Sequence, residues 1–378
     1  MNRFAAAFSQ HPVAAHAVGE VAGAVFDEIG NAPDVVAIFV TAPHTGTLED
    51  IAAALQRLLE PRVMIGATAV AVLANGVEIE KGPAVAVWAA KLGDAVRSVR
   101  ITADQTTDGW AFDGLDALDT GRAVVLVGDP YTFPTEEFLA AVAETRPDLA
   151  VVGGMASAAR GPGGNRLIVD GVVTTHGAVG FVVGDASEPA TVVSQGCRPI
   201  GQPYTVTRAE RNMIYELGGQ PALERLMTMV DALSSDERAL AAHGLHCGVV
   251  IDEHRVDFGA GDFLVRNVLG ADRENGAVAV GAVVPVGATV QFQVRDADTA
   301  HRELVDLLTG RHAAGALVFT CNGRGTNLFT TPNHDAALVG QLLDTTAVAG
   351  MFCAGELGPV GGHNFLHGFT ASLALFGV

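Results

Sequence analysis

The stretch 316-ALVFTCNGRGTNLFTTPNHDAALVGQLLDTTAVAGMF-352 decides the fold. It starts with an apolar, β-prone run from Ala316 to Thr320 and passes through a polar loop to Thr331. A helical pattern from Pro332 to Leu343 follows, then a second apolar run from Ala347 to Phe352. Thr331 is a natural N-cap, and Pro332 falls at a first helical position, where its missing N–H removes no hydrogen bond. Strand, helix and strand in that order make a βαβ crossover, which leaves the two strands parallel. The hairpin-like stretch Phe365 to Phe376 closes the segment.

The same order occurs twice more. Val35 to Thr41 reads as a strand, a loop with His44 follows, Thr47 to Leu59 reads as a helix, and Val63 to Ala67 as a second strand before an alternating stretch to Ala90. Ala123 to Val127, Thr135 to Thr145 and Leu149 to Gly154 repeat it, with hairpins to Gly184. Three matching βαβ units with trailing antiparallel hairpins predict an α/β fold of the mixed α+β kind, its mixed sheets covered by helices. Between the second and third units the pattern changes. A loop from Ser194 to Gln202 leads into a helical pattern from Thr207 to Leu233, which Gly218, Gly219 and Pro221 split into two helices. Strands near Cys247 to Ile251 and Ala277 to Val284 come next. The change near residue 205 divides the chain into two expected domains, 1–204 and 205–378.

Composition narrows the functional classes. Of 378 residues 49% are hydrophobic and 17% charged, enough apolar surface for large cores. A net charge of −19 repels nucleic acid and anionic membrane surfaces, so neither is an expected partner. Lys81 and Lys91 are the only lysines and neither follows a glycine-rich loop, which removes a P-loop. Cys197, Cys247, Cys321 and Cys353 contain no CxxC pair and suit a reducing compartment. The N-terminus has no secretory pattern, and the apolar tract Ala277 to Val290 is interrupted by Gly281, Pro285 and Gly287 and too short to span a bilayer. A soluble cytoplasmic protein is expected.

The run Gly350-Met351-Phe352-Cys353-Ala354-Gly355-Glu356-Leu357-Gly358-Pro359-Val360-Gly361-Gly362, with Asn364-Phe365-Leu366-His367-Gly368-Phe369-Thr370 after it, resembles the C-terminal part of the FIST sensory-domain family. Ser194-Gln195-Gly196-Cys197-Arg198-Pro199-Ile200-Gly201, Asn212 within Val206 to Leu226, and Val280-Gly281-Ala282 are similar to the same family. Phe39, Ile65-Gly66-Ala67-Thr68 and Gly153-Gly154 resemble its N-terminal domain, with Ala67 standing where the family often has a small thiol residue. The resemblance implies an intracellular module that senses a small molecule such as an amino acid or derivative and signals through a partner protein.

In parallel α/β sheets ligands sit outside the carboxyl ends of the strands. In the third repeat those ends carry Cys321, Asn322 and Arg324, then Cys353, Gly355 and Glu356, then His363, Asn364 and His367. These are the candidate ligand-binding residues. Arg324 is suited to grip a carboxylate and Glu356 to receive an ammonium, a combination for a zwitterion; alternatively the two form a structural ion pair. Cys353 beside His363 or His367 is the candidate for a Cys–His nucleophile acting on an acyl or carbonyl substrate. A zinc site would need close to four ligands, and only His363 and His367 have paired spacing, an i, i+4 pair that needs a helix where Asn364-Phe365-Leu366 reads as a strand entry, so no metal is expected. Gly323-Arg324-Gly325 lacks the third glycine of a dinucleotide fingerprint, since Leu328 stands there, and no cofactor is expected. A ligand-free interaction scaffold is the remaining alternative.

Overall fold

The computed structural model describes residues 3–93, 96–107, 109–255, 257–259 and 261–378. Strand β1 (Arg3–Ser9) and helix α1 (Ala14–Ile29) precede the first repeat. That repeat is β2 (Val35–Thr41), α2 (Leu48–Leu59), β3 (Val63–Ala69), the hairpin β4 (Val72–Ala74) and β5 (Val77–Ile79), and a returning strand β6 (Val85–Lys91). All seven residues of β2 are buried, as a strand covered on both faces requires. Helix α2 buries Leu48, Ile51, Ala52, Leu55 and Leu59, a single stripe at helical spacing. Strands β7 (Arg97–Thr106) and β8 (Gly109–Asp113) lead to the second repeat, β9 (Ala123–Gly128), α3 (Thr135–Thr145), β10 (Ala150–Met155), hairpin β11 (Leu167–Val169) and β12 (Val172–Thr174), and return strand β13 (Ala178–Val183). Strand β14 (Ala190–Ser194) ends this part.

The middle of the chain departs from the helical reading of its first half. Residues 204–217 form an antiparallel pair, β16 (Tyr204–Glu210) and β17 (Met213–Leu217), after a short β15 (Cys197–Pro199). Arg211 takes a positive φ of 53° at the turn, and Gly218 and Gly219, at 56° and 73°, end β17. The β-branched, alternating Thr205-Val206-Thr207 suits the strand that opens this pair. Helices begin only after β18 (Gln220–Pro221), as α4 (Ala222–Ala232) and α5 (Ser235–His243), the latter opened by a capping box between Ser234 and Glu237. Strands β19 (Leu245–Val250), β20 (Phe263–Asp272), β21 (Ala277–Val280) and β22 (Thr289–Arg295) and helix α6 (Ala297–Leu308) follow. Strands β22, β16, β17, β21, β20 and β19 pair in sequence, and β19 pairs back to β22, closing the ring.

The third repeat is β23 (Gly315–Cys321), α7 (His334–Leu343), β24 (Val348–Cys353), hairpin β25 (Glu356–Val360) and β26 (His363–His367), and return strand β27 (Ala371–Phe376). Each repeat keeps its two parallel strands and its return strand in one sheet and lends its hairpin to another. Hairpin β4–β5 extends β24, β11–β12 extends β3, and β25 joins β10, so the loan runs in a closed cycle. Gly66, Gly153 and Gly350 occupy matching places opposite Ile38, Leu126 and Val318. At each, a Cβ would overlap the carbonyl of the residue opposite, which is why glycine recurs there.

The strand ends are cross-linked around the same cycle. Thr68, Met155 and Phe352 donate their N–H groups to the carbonyls of Arg166, Gly355 and Ala71, at 2.9, 2.8 and 2.9 Å. Ser157 N–H then donates to Thr68 and Ala354 N–H to Met155. In the third link the Ser157 hydroxyl intervenes, accepting from Val70 N–H at 3.0 Å and donating to the Phe352 carbonyl at 2.5 Å. The inner faces of all three sheets share one core that includes Phe39, Val127, Phe319 and Met351.

Contacts group the chain into one unit of residues 1–193, 307–366 and 370–378 and a second of residues 194–306 and 367–369. This grouping differs from a single cut between 204 and 205. The physical reason is the hairpin exchange: the sheet of the second repeat is completed by the hairpin of the third and the sheet of the third by the hairpin of the first, while the strands of the ring, β16 to β22, lie between the second and third repeats in the sequence.

Candidate functional site

Strands β23 and β24 end in register, Cys321 beside Cys353, with both thiols buried. The chain then turns back sharply: Asn322 N–H donates to the Cys353 carbonyl and Arg324 N–H to that of Cys321. Gly325, at a φ of 57°, begins a single 3₁₀ turn to Asn327, and a Cβ there would press on Phe352 and the Glu80 carboxyl. This turn sends the Arg324 side chain inward, where it is fully buried.

There Arg324 meets Asp335, in the first turn of α7, through Nε at 2.7 Å and Nη2 at 2.9 Å. Asp335 also accepts from the Thr320 hydroxyl at 2.7 Å and pairs with His334 Nδ1 at 2.9 Å. Phe329 lies under the guanidinium, 5.2 Å from ring centre, and stacks on His334 at 3.5 Å. Burial alone would raise the Asp335 pKa; the Arg324 charge and these hydrogen bonds outweigh it and hold the carboxyl well below the ordinary range.

Two further carboxyls adjoin this pair. Glu78, on the hairpin lent by the first repeat, accepts from Ala336 N–H at 3.0 Å, yet burial and then the Asp335 charge push its pKa up to about 7. Glu356 accepts from the Thr370 N–H at 3.2 Å and hydroxyl at 2.8 Å, and burial pushes it up to about 8. Burial, then Glu356 and Cys321, drive the Cys353 thiol well above its ordinary value. A nucleophilic cysteine needs the opposite shift.

The structure therefore gathers Cys321, Arg324, Cys353 and Glu356 into one buried group, with Asn322 exposed and Gly355 half-buried at its rim. The carboxylate that Arg324 grips through two hydrogen bonds is that of Asp335, while its charge also acts on Glu356, opposing the effect of burial there. A Glu356 that is largely protonated at neutral pH is also a poor seat for an ammonium. His363 is exposed on β26, and Asn364 completes a sheet edge by accepting from Val151 N–H and donating to the Leu149 carbonyl. His367 is buried in the second unit. Neither histidine is among the hydrogen-bond partners of Cys353, whose thiol contacts the Met351 carbonyl at 3.5 Å.

Asp335, Glu78 and Glu80 were not among the sequence candidates. Asp335 had a usable signal, an acid in the first turn of the helix that follows the loop. Glu78 and Glu80 had none, since they come from a hairpin some 250 residues upstream. Glu80 grips the loop from outside: Thr326 N–H donates to its carboxylate at 3.0 Å and the Thr326 hydroxyl at 2.6 Å. A comparable grip explains the Ser194-Gln195-Gly196 motif of the second unit. There the Glu303 carboxylate accepts from the Ser194 hydroxyl and from the N–H groups of Gln195 and Gly196. Arg198 beside it is paired with Glu237 and Asp296.

An open groove of about 600 Å³ lies at the other end of α7, lined by residues such as Asn75, Gln341, Asp344 and Thr345. Among the described residues no group of three or more His, Cys, Asp or Glu side chains is placed to hold a metal ion, and no helix is long and apolar enough to cross a membrane.

Comparison with known proteins agrees with this arrangement along nearly the whole chain. Residues 34–220 match the FIST N domain and residues 222–359 the FIST C domain. An uncharacterized protein of Mycobacterium bovis is 45% identical over 374 residues, covering 97% of this chain and 96% of that protein. An uncharacterized protein of Mycobacterium tuberculosis is 43% identical over 383 residues, covering 99% of each. The chain belongs to the FIST family, whose domains are sensory domains in signalling.

Proposed function

We propose that this protein senses a small carboxylate-bearing molecule, an amino acid or derivative, in the cytoplasm and reports its occupancy to a signalling partner protein. The observation that carries this reading is the loop after β23, which already holds a carboxylate, that of Glu80, through the Thr326 N–H and hydroxyl. A ligand carboxylate offers the same acceptor to the same donors. By displacing Glu80 it would remove one of the contacts between the loop and the end of the β4–β5 hairpin, a change that a partner protein can read. The net charge of −19 favours a protein partner over nucleic acid. Catalysis by Cys353 has less support, because burial keeps its thiol protonated.

A thermal-shift screen against amino acids and their derivatives tests the proposal. A ligand present at 100 times its dissociation constant stabilises by about 2.7 kcal/mol. Glu80→Gln weakens the internal competitor and should tighten binding, whereas Thr326→Val removes the hydroxyl and should loosen it. A ligand whose affinity is the same in both variants does not bind at this loop, and a screen with no hit argues against small-molecule sensing.

A further inference from the structure

We propose that the second unit carries a separate binding site for a small carboxylate, formed by His246, Gln293 and Arg295 on one face of its strand ring. This site is independent of the loop after β23, and neither proposal needs the other.

The strand registers place the site. His246 on β19 is the direct partner of Gln293 on β22 and of Asn267 on β20, so three polar residues stand in a row across adjacent strands. The residues alternating with them, Cys247, Phe292 and Val294, join the apolar cluster that includes Leu226 and Met229 of α4. A period of two therefore puts the polar row on the opposite face, beside a smaller apolar cluster of Val250, Phe263 and Val265 with Phe369 packed against it. The polar face is nevertheless deeply covered, with His246 4% exposed and Gln293 1%.

Buried polar groups in native proteins are almost always hydrogen-bonded, and leaving one unmet is costly. The Gln293 amide nitrogen has no hydrogen-bond partner, and the ring nitrogens of His246 make no bond of good geometry, with only the Asn267 side chain close enough to favour the protonated ring. Packing explains only part of the arrangement. The His246 ring lies 4.2 Å from that of Phe369, and the Arg295 guanidinium lies over the same Phe369 ring at 5.4 Å. An aromatic residue would fill the place of His246 equally well without unmet nitrogens. The Gln293 amide lies in the space left by Gly248, next along the face from His246, where a Cβ would overlap it.

The chemistry of the row selects an anion. Gln293 presents N–H donors, and Arg295, half-buried at the edge, brings a positive charge. Burial, and then the Arg295 charge, depress the His246 pKa to about 4, so the imidazole is neutral at physiological pH and offers one N–H. A carboxylate can accept from the amide and the imidazole together while facing the guanidinium. Once bound, it reverses the effect of Arg295 on His246 and favours the protonated ring.

The test uses the full-length protein with histidine side chains labelled for NMR and acetate and glutamate as probes. The expected result is a saturable movement of the His246 signal and a rise of its titration midpoint by about one unit. Gln293→Leu, which removes the unmet amide, should fold at least as stably as the parent and bind the probes about tenfold or more weakly. His246→Phe preserves the tilted ring contact with Phe369 and provides a second folded variant, read by thermal shift, in which stabilisation by the probe should likewise fall. A His246 signal unmoved by either probe at about 100 mM, far above a millimolar dissociation constant, overturns the site. So does a response identical in Gln293→Leu. If a carboxylate instead acts through Thr326 and Glu80 while His246 stays unmoved, the sensor reading stands and this site alone falls.

Discussion

Replacing Arg324 by alanine separates a ligand-gripping residue from a structural one. The side chain is fully buried, and two of its N–H groups reach Asp335 at 2.7 and 2.9 Å. Removing it leaves the Asp335 carboxylate, itself 1% exposed, with only Thr320 and His334 as side-chain partners. Breaking one side of such a buried pair costs about 3–5 kcal/mol. At about 2–4 °C per kcal/mol for a unit of this size, Tm should fall by about 6–20 °C without any ligand present. The loss should shrink in acid, because an unpaired Asp335 takes up a proton more readily than the paired one. In the parent the folded Asp335 pKa is depressed, so its contribution is present above the ordinary carboxyl pKa and disappears as pH falls through the folded value. Melting followed by circular dichroism at neutral and acidic pH measures both effects, and Arg324→Met with Asp335→Leu, which removes both charges, should recover much of the loss. A single Arg324→Ala variant melting within about 2 °C of the parent, less than about 1 kcal/mol, would refute the assignment of Arg324 to a structural pair.

The two raised carboxyls make a pH prediction of opposite sign. Glu78 and Glu356 hold protons in the folded state up to about 7 and about 8, against an ordinary value of 4.5, so stability should decline as pH rises through that interval; Glu78→Gln and Glu356→Gln should each flatten the decline, and a parent whose Tm is level across it would contradict both shifts. Cys353, fully buried with a raised thiol pKa, should alkylate far more slowly in the native protein than in denaturant; fast native labelling would reopen the nucleophile reading. Gly350→Ala would drive a Cβ into the Val318 carbonyl and should prevent soluble expression or lower Tm by well over 5 °C, whereas Gly161→Ala, in open space and without a positive φ, should cost much less.

How far the sequence speaks for the fold follows from the range of the interactions involved. The three βαβ units are legible because a buried strand such as Val35–Thr41 and an amphipathic helix such as α2 depend on neighbours within a few residues. The segment 207–217 is ambiguous at that range: its side chains fit a helical stripe loosely, and pairing of β17 with β21, more than 60 residues away, settles it as a strand. For Arg324 and Glu356 the sequence shows only their place at strand ends. Their partners are not legible there, because the Arg324 pair is closed by α7 and flanked by Glu78 from another repeat.

The hairpin exchange makes that limit a consequence of the architecture. Each sheet ends in a hairpin from a different repeat, so the residues around the carboxyl ends of one strand pair are drawn from two distant parts of the chain. In the third sheet these are Glu78 and Glu80 from the first repeat and Arg324 and Asp335 from the third. The three repeats share a backbone plan, marked by Gly66, Gly153 and Gly350, yet their strand ends differ in chemistry. Glu356 stands opposite Gly154, where the corresponding borrowed positions are Leu167 opposite Ala67 and Val72 opposite Met351. Two of the three places are thus apolar and pack the shared core, while the third buries a carboxyl whose pKa is raised to about 8. Core packing alone would favour an apolar residue at all three, since a buried carboxyl costs free energy even when hydrogen-bonded. The asymmetry therefore sets the third repeat apart from its two counterparts, and it does so beside the loop that grips the Glu80 carboxylate.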